Sequence, residues 1–240
     1  MIGRVLLAAL LAGIVAGVVM GVIQHVRITP LILQAEVYEN AAASHGAATE
    51  TSADTATTPT PAQSPEEEEW SPADGWQRSL STTVATMLTG AAFAVILAGI
   101  SLLTGIPVTP GNGAIWGLCA FLAATLAPAA GLSPELPGMP AGDLAARQFW
   151  WAGTIMATGV ALYLFATRRE LWIMAAAVVL IALPHAIGAP QPVTHETTVP
   201  AGLAATYASN VIAAAAVFWS LIGVFLGYAL RRFSRDIYAT

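Results

Sequence analysis

The chain has 240 residues, 56% of them hydrophobic and 10% charged, with a mean hydropathy of +0.69 and a formal charge of −5. Soluble domains carry about 25% charged residues, so this depletion names lipid as the solvent. The nine basic residues are all arginine, and a lone cysteine, Cys119, excludes an internal disulfide framework or a thiolate cluster.

A helix needs about 20 apolar residues to cross a bilayer. Six stretches approach that length: 4–26, 81–104, 112–131, 149–167, 171–187 and 203–230. They predict an all-α fold, a polytopic membrane helical bundle of six transmembrane helices, or five if the short, proline-interrupted stretch 171–187 does not cross. The first stretch runs well past a signal-peptide core and reads as an uncleaved helix. Within it Gly13, Gly17 and Gly21 recur every fourth residue, a face on which another helix can approach closely. His25 continues that series. This helix and its extension form one region, 1–40.

Residues 41–78 break the pattern. They are rich in Ala, Thr, Ser and Pro, hold Glu66 to Glu69, and lack the periodicity of a core, which predicts a disordered acidic loop. The remaining region, 79–240, holds about five helices. Between its second and third lies the Pro/Gly-rich loop Gly131–Asp143, carrying Glu135 and Asp143. Arg147 follows at a spacing that suits a pair with Asp143, and Trp150 and Trp151 suit an interfacial belt. Residues 184–196 carry Pro184, Pro190 and Pro192 together with His185, His195 and Glu196. They predict a backbone break at Pro184, tolerated in lipid only where protein or a watery cavity covers it. Thr206, Tyr207, Ser209 and Asn210 form a polar patch suited to hydrogen bonds between helices. Gly223 and Gly227 add a second glycine face.

Arginine placement sets the orientation. With both termini cytoplasmic, Arg4, Arg168, Arg169, Arg231, Arg232 and Arg235 lie inside, and Arg27, Arg78 and Arg147 outside. The outer side then holds His25, His45, His185, His195 and every acidic residue except Glu170 and Asp236. Acids and imidazoles on one face attract cations, and with carbonyl oxygens they suit borderline divalent ions such as Co, Ni, Zn or Mn. The candidate metal ligands are His25, Glu135, His185, His195 and Glu196. Each has an ordinary alternative: a solvated loop acid, or a histidine hydrogen-bonded at a helix interface. No GxxxxGK[ST], GxSxG or HExxH pattern occurs, so neither P-loop ATP hydrolysis nor another enzymatic role has motif support. Nothing points to nucleic acid or to a prosthetic group.

Three stretches resemble the CbtA family, the proposed cobalt transporter subunits of bacteria. One is the glycine-repeat helix from Arg4 to Gln24, leading into His25 and the segment Pro30–Glu39. The second is Leu-Ser-Pro-Glu-Leu-Pro-Gly at 132–138, running on to Ala-Arg-Gln-Phe-Trp-Trp at 146–151. The third is Leu-Pro-His-Ala-Ile-Gly-Ala-Pro-Gln-Pro at 183–192. Together they cover nearly the whole chain outside 41–78. The resemblance implies cobalt uptake for corrin synthesis, a small His-bearing membrane partner of the CbtB type, and five spans; it transfers no ligand list. The resulting expectation is a subunit of a divalent-cation importer in the bacterial inner (plasma) membrane, with Co2+ as cargo. The Pro-His break would provide the entrance, and the acidic loop would gather cations outside. The alternative is a non-conducting membrane scaffold for a partner protein. The glycine faces suit that reading equally, as they suit a homo-oligomer.

Overall fold

The computed structural model describes residues 2–50 and 75–233, and all its regular elements are helical. Helix α1 (Ile2–Ile23) passes through a π-helical turn (Gln24–Ile28) directly into α2 (Thr29–Glu50). Next come α3 (Trp76–Thr104), α4 (Gly113–Phe121), a second π-helical turn (Leu122–Leu126) and α5 (Ala127–Ala129). The described chain ends with α6 (Leu144–Thr167), α7 (Leu171–Ile187) and α8 (Ala201–Phe233). Four segments are long and apolar enough to cross a membrane: Ile2–Ala41, Trp76–Thr104, Leu144–Thr167 and Ala201–Phe233. Gly113–Ala129 and Leu171–Ile187 are shorter apolar helices. All six expected stretches are thus helical in an all-α membrane bundle, and the two shorter ones are those that contain Pro128 and Pro184.

Two boundaries differ from expectation. Helix α2 continues to Glu50 and α3 starts at Trp76, so helix enters both margins of the segment expected to be disordered. The alanines at 41–43 and 47–48 favour that extension. Glu66 to Glu69 lie outside the described residues. The helix containing Pro184 does not break there. It runs on to Ile187 and stops at Gly188, whose φ of 91° places it in a conformation that favours glycine. Proline in a last turn removes one hydrogen bond only, and Gly188 N–H closes the end onto the Pro184 carbonyl at 3.1 Å.

Lipid tails are as apolar as leucine, so helices in a membrane associate through close packing of small residues. Helix α1 lies along α3 in the way its repeat predicts. A β-carbon at Gly13 would run into the Gly90 carbonyl, one at Gly17 into the backbone of Thr86 and Met87, and one at Gly21 would press on Thr83. The second glycine face works alike: Gly223 meets Gly113 and Gly117 of α4, and Gly227 meets the Thr109 carbonyl. Between these seams α1, α3 and α8 enclose Ala9, Ala12, Ala16, Ala94, Leu97, Phe218, Trp219, Ile222 and Leu226. The Trp219 indole stacks on Phe93, with ring centroids 4.7 Å apart, and its Nε1–H donates to Thr125 Oγ1 at 3.1 Å. Helices α6 and α7 form a hairpin that meets the other helices mainly through α5 and the second π-helical turn. An apolar gap of about 280 Å3, lined by Leu97, Ile100, Trp116, Cys119, Leu162 and Tyr163 among others, separates α6 from α3 and α4.

One end of the bundle carries a cap. The segment Ile2–Ala41 is roughly 60 Å long at about 1.5 Å per residue, against about 30 Å of bilayer hydrocarbon. Its projecting part packs Ile32 and Ala35 onto Leu136 and Val199, which belong to the two proline-rich connections 130–143 and 188–200.

Candidate functional site

The cap brings those two connections together. Leu136-Pro137-Gly138-Met139 has the residues of a type II turn, with proline second and a third residue, Gly138, at φ 79°. Met139 N–H closes the turn onto the Leu136 carbonyl at 3.2 Å. Thr197 Oγ1 donates to the Gly138 carbonyl at 3.2 Å, and Gly142 lies against the Pro190 and Gln191 carbonyls. Between the two connections opens a cavity of about 220 Å3 whose polar lining is Ser133, Glu135, Gln191, His195 and Thr197. Two residues 60 positions apart, Glu135 and His195, therefore share one chamber.

Glu135 is half-buried and receives Arg147 Nη2 on Oε2 at 2.8 Å. This corrects the expected pair of Arg147 with Asp143. Asp143 is the N-cap of α6, and its Oδ1 accepts from Ala146 N–H at 2.8 Å. A carboxylate folded back onto its own helix start satisfies an otherwise orphaned N–H, leaving the arginine to cross to Glu135. His195 is exposed on the other wall, and Glu196 is exposed beside it in sequence.

His25 occupies a different place. It continues the glycine face of α1, and its Nδ1 lies 3.4 Å from Ser79 Oγ at the start of α3. It lines a second cavity of about 340 Å3 together with Gln24, Thr29, Arg78, Ser79 and Thr82. Arg78 pairs there with Glu36 at 2.6 Å. The Gln24 Oε1 atom is buried with no hydrogen-bond partner. The chemistry of this chamber is amide, hydroxyl, imidazole and guanidinium, with no carboxylate in its lining.

His185 lies in the last turn of α7, in contact with the end of the α4–α5 helix. Its Nδ1 lies 3.0 Å from the Ile181 carbonyl and its Nε2 3.0 Å from the Ala127 carbonyl. The Trp150 indole meets the His185 ring edge-on at 5.8 Å between centroids, and its Nε1–H donates to the Pro184 carbonyl at 3.0 Å. Trp150, expected in an interfacial belt, thus also serves a hydrogen bond between α6 and α7.

The five expected ligands are therefore divided: Glu135 and His195 share one cavity, His25 lines another, His185 is held between carbonyls, and Glu196 stands in solvent. Among the described residues no three His, Cys, Asp or Glu side chains converge as a metal cage. The Thr206, Ser209 and Asn210 side chains bond to their own helix, at the Gly202 and Thr206 carbonyls, rather than joining helices. Sequence reasoning missed Gln24, Ser133, Gln191 and Thr197, since isolated polar residues carry no pattern until two loops meet. It also missed the Ala127 carbonyl, for which no side chain gives a signal.

Comparison with known proteins gives one match. A family model described as probable cobalt transporter subunit (CbtA) matches residues 2–231. No curated protein and no solved structure matches the chain.

Proposed function

The chain belongs to the CbtA family of probable cobalt transporter subunits, and from that premise we propose that it carries a divalent cation, Co2+ foremost, across the bacterial inner membrane. In this reading both termini are cytoplasmic and the cap faces outward, an orientation supported by the six-to-three arginine bias across the helix ends. The protein acts as a non-enzymatic membrane subunit with a His-bearing partner of the CbtB type.

One observation carries the reading: the cavity of about 220 Å3 lined by both Glu135 and His195, together with Ser133, Gln191 and Thr197. A carboxylate, a neutral imidazole and hydroxyl or amide oxygens form a ligand set suited to borderline divalent ions. Water completes the shell, because two strong protein ligands hold an ion firmly enough to capture it and loosely enough to pass it on. Arg147 pairs with Glu135, so an arriving cation exchanges with the guanidinium. The exchange replaces one positive partner of a partly buried carboxylate by another and leaves the carboxylate paired throughout. Glu196 and His25 add to the polar outer face around the entrance. The entrance is assigned to Glu135 and His195 rather than to His185, because each nitrogen of the His185 ring already faces a carbonyl.

The test is a calorimetric Co2+ titration of purified protein in detergent. Loss of a ligand should weaken binding at least as much as loss of a supporting residue, about 10- to 100-fold. We expect that for both Glu135→Gln and His195→Ala, with Arg147→Gln binding no more weakly than wild type. Unchanged affinity in both ligand variants would remove the cavity from the ion's path.

A scaffold reading draws on α7, where only Ala177 is buried and Trp172, Val178 and Val179 are 58–73% exposed. It predicts a stable complex with the partner and no passage of ions.

A further inference from the structure

We propose that His185 is a positioning residue: its Nε2–H donates to the Ala127 carbonyl and fastens the end of α7 to the end of the α4–α5 helix, and so fixes the connection that carries His195, without ligating the ion. The inference rests on the proposed transport reading for its functional consequence, while the bridge itself can be measured independently.

The argument starts from the carbonyls. The last carbonyls of a helix have no helical donors, and the helix dipole places partial negative charge there. Helix α4 continues through the second π-helical turn to Ala129, so Ala127 belongs to its final turn. Chain turning diverts the usual donor: Gly131 N–H goes to the Pro128 carbonyl at 3.1 Å, leaving Ala127 a long contact with Ala130 N–H at 3.3 Å. His185 lies in the last turn of α7, where its Nδ1 rests against the Ile181 carbonyl one turn back on its own helix, and its Nε2 reaches across to the Ala127 carbonyl at the negative end of the α4–α5 helix.

A neutral imidazole has a single N–H and serves one of these carbonyls; the doubly protonated ring serves both. In the neutral ring the remaining lone pair faces a carbonyl oxygen 3.0 Å away, too close for a metal ion between them, and the doubly protonated ring has no lone pair. The elements packed around the ring contribute few charges. The second π-helical turn, α5 and the rest of α7 carry none. Helix α6 contributes Arg147, which is engaged by Glu135, and its cap Asp143 is engaged by Ala146. None of these groups is hydrogen-bonded to the ring.

The consequence reaches the entrance through the backbone. Gly188 ends α7 three residues after His185, and the connection proceeds to Pro190, Gln191, Pro192 and His195. Trp150 fixes the same turn from α6 through the Pro184 carbonyl. Helix α7 meets the bundle chiefly through α6, so the His185–Ala127 contact is a direct fastening of this helix end onto the α4–α5 helix. Without it the wall bearing His195 is still tied to the wall bearing Glu135 by the Thr197–Gly138 hydrogen bond and the packing of Gly142, but its α7 end is unfastened.

Replacement by donors that cannot ligate separates this role from coordination. Charged lysine has three donors and no lone pair. Cobalt uptake should fall about tenfold in His185→Ala and return to within about twofold of wild type in His185→Lys, since a lost supporting residue at a metal site costs about 10- to 100-fold. If His185 ligated the ion, lysine would fail as alanine does. A second measurement uses the wild-type chain in bilayers, with 15N-labelled histidine assigned by His185→Gln. The bridge predicts hydrogen-bonded N–H signals from His185 that persist on adding Co2+, while the His195 signals are broadened by the paramagnetic ion. Loss of the His185 N–H signals into a metal-bound form would overturn the proposal. A chain that transports nothing but retains the bridged signals would overturn the transport reading and leave the bridge standing.

Discussion

Asp143 and Arg147 stand four residues apart, the spacing at which opposite charges usually meet on a helix. They do not meet, because Asp143 is the cap and not the first turn: its side chain turns back to Ala146 N–H. The arginine is thereby available to Glu135, and one local rule of helix starts decides which partner that carboxylate has. Asp143→Ala should lower stability by about 1 kcal/mol, read from thermal unfolding in detergent, while Asp143→Asn, which still caps, should lose much less. A similar loss in both variants would show that the carboxylate acts by charge and not by capping. At this scale the sequence was partly legible. His25 followed from the four-residue glycine series, and Glu135, His185 and His195 stood out as ionisable groups in proline-rich connections. Which of them share a cavity depended on contacts between residues 60 positions apart, which no local spacing encodes.

The helices follow two sequence devices, one read easily and one not. The glycine repeat of α1 ran against another helix as expected, and α3 proved to be the partner, with Gly90 as the matching gap. Gly13→Leu should therefore disrupt the bundle. Overpacking costs about 1–3 kcal/mol even where neighbours can shift, and here the obstacle is a backbone carbonyl. Gly3→Leu, at a glycine with open space around it, should be neutral. Equal unfolding temperatures for the two variants would mean that the α1–α3 seam contributes nothing. The second device is the placement of proline after a widened turn. Both π-helical turns end two residues before a proline, Pro30 in one case and Pro128 in the other. A proline ring clashes with the carbonyl four residues earlier and offers no N–H, and a wider turn moves that carbonyl aside. In the sequence Pro128 stands within an apolar stretch and Pro30 beyond the end of one, and neither reveals the wider turn that precedes it. That proline should widen a helix at two positions and merely sit in the last turn at Pro184 follows from neighbouring structure.

For the whole molecule, charge and length say more than any motif. The six apolar stretches, the glycine faces and the arginine bias made an all-α membrane bundle legible. The cap was not, because it is assembled from a helix that outruns the bilayer and two connections that have no periodicity of their own. The acidic run Glu66–Glu69 lies outside the described residues, and its expected effect is long-range attraction of cations. Replacing the four with glutamine should lower uptake at low ionic strength and matter little at 0.1 M salt, where screening acts over about 10 Å. An equal loss at both ionic strengths would point to direct coordination instead. The proposed passage of cobalt through the Glu135–His195 cavity is tested most directly by cobalt accumulation, measured by mass spectrometry, in cells lacking other cobalt importers and expressing the chain with its candidate partner. Saturable accumulation is expected with the wild-type chain, and its loss in a Glu135→Gln, His195→Ala double variant that inserts normally. Equal accumulation in both, or none with an inserted wild-type chain and its partner present, would contradict it.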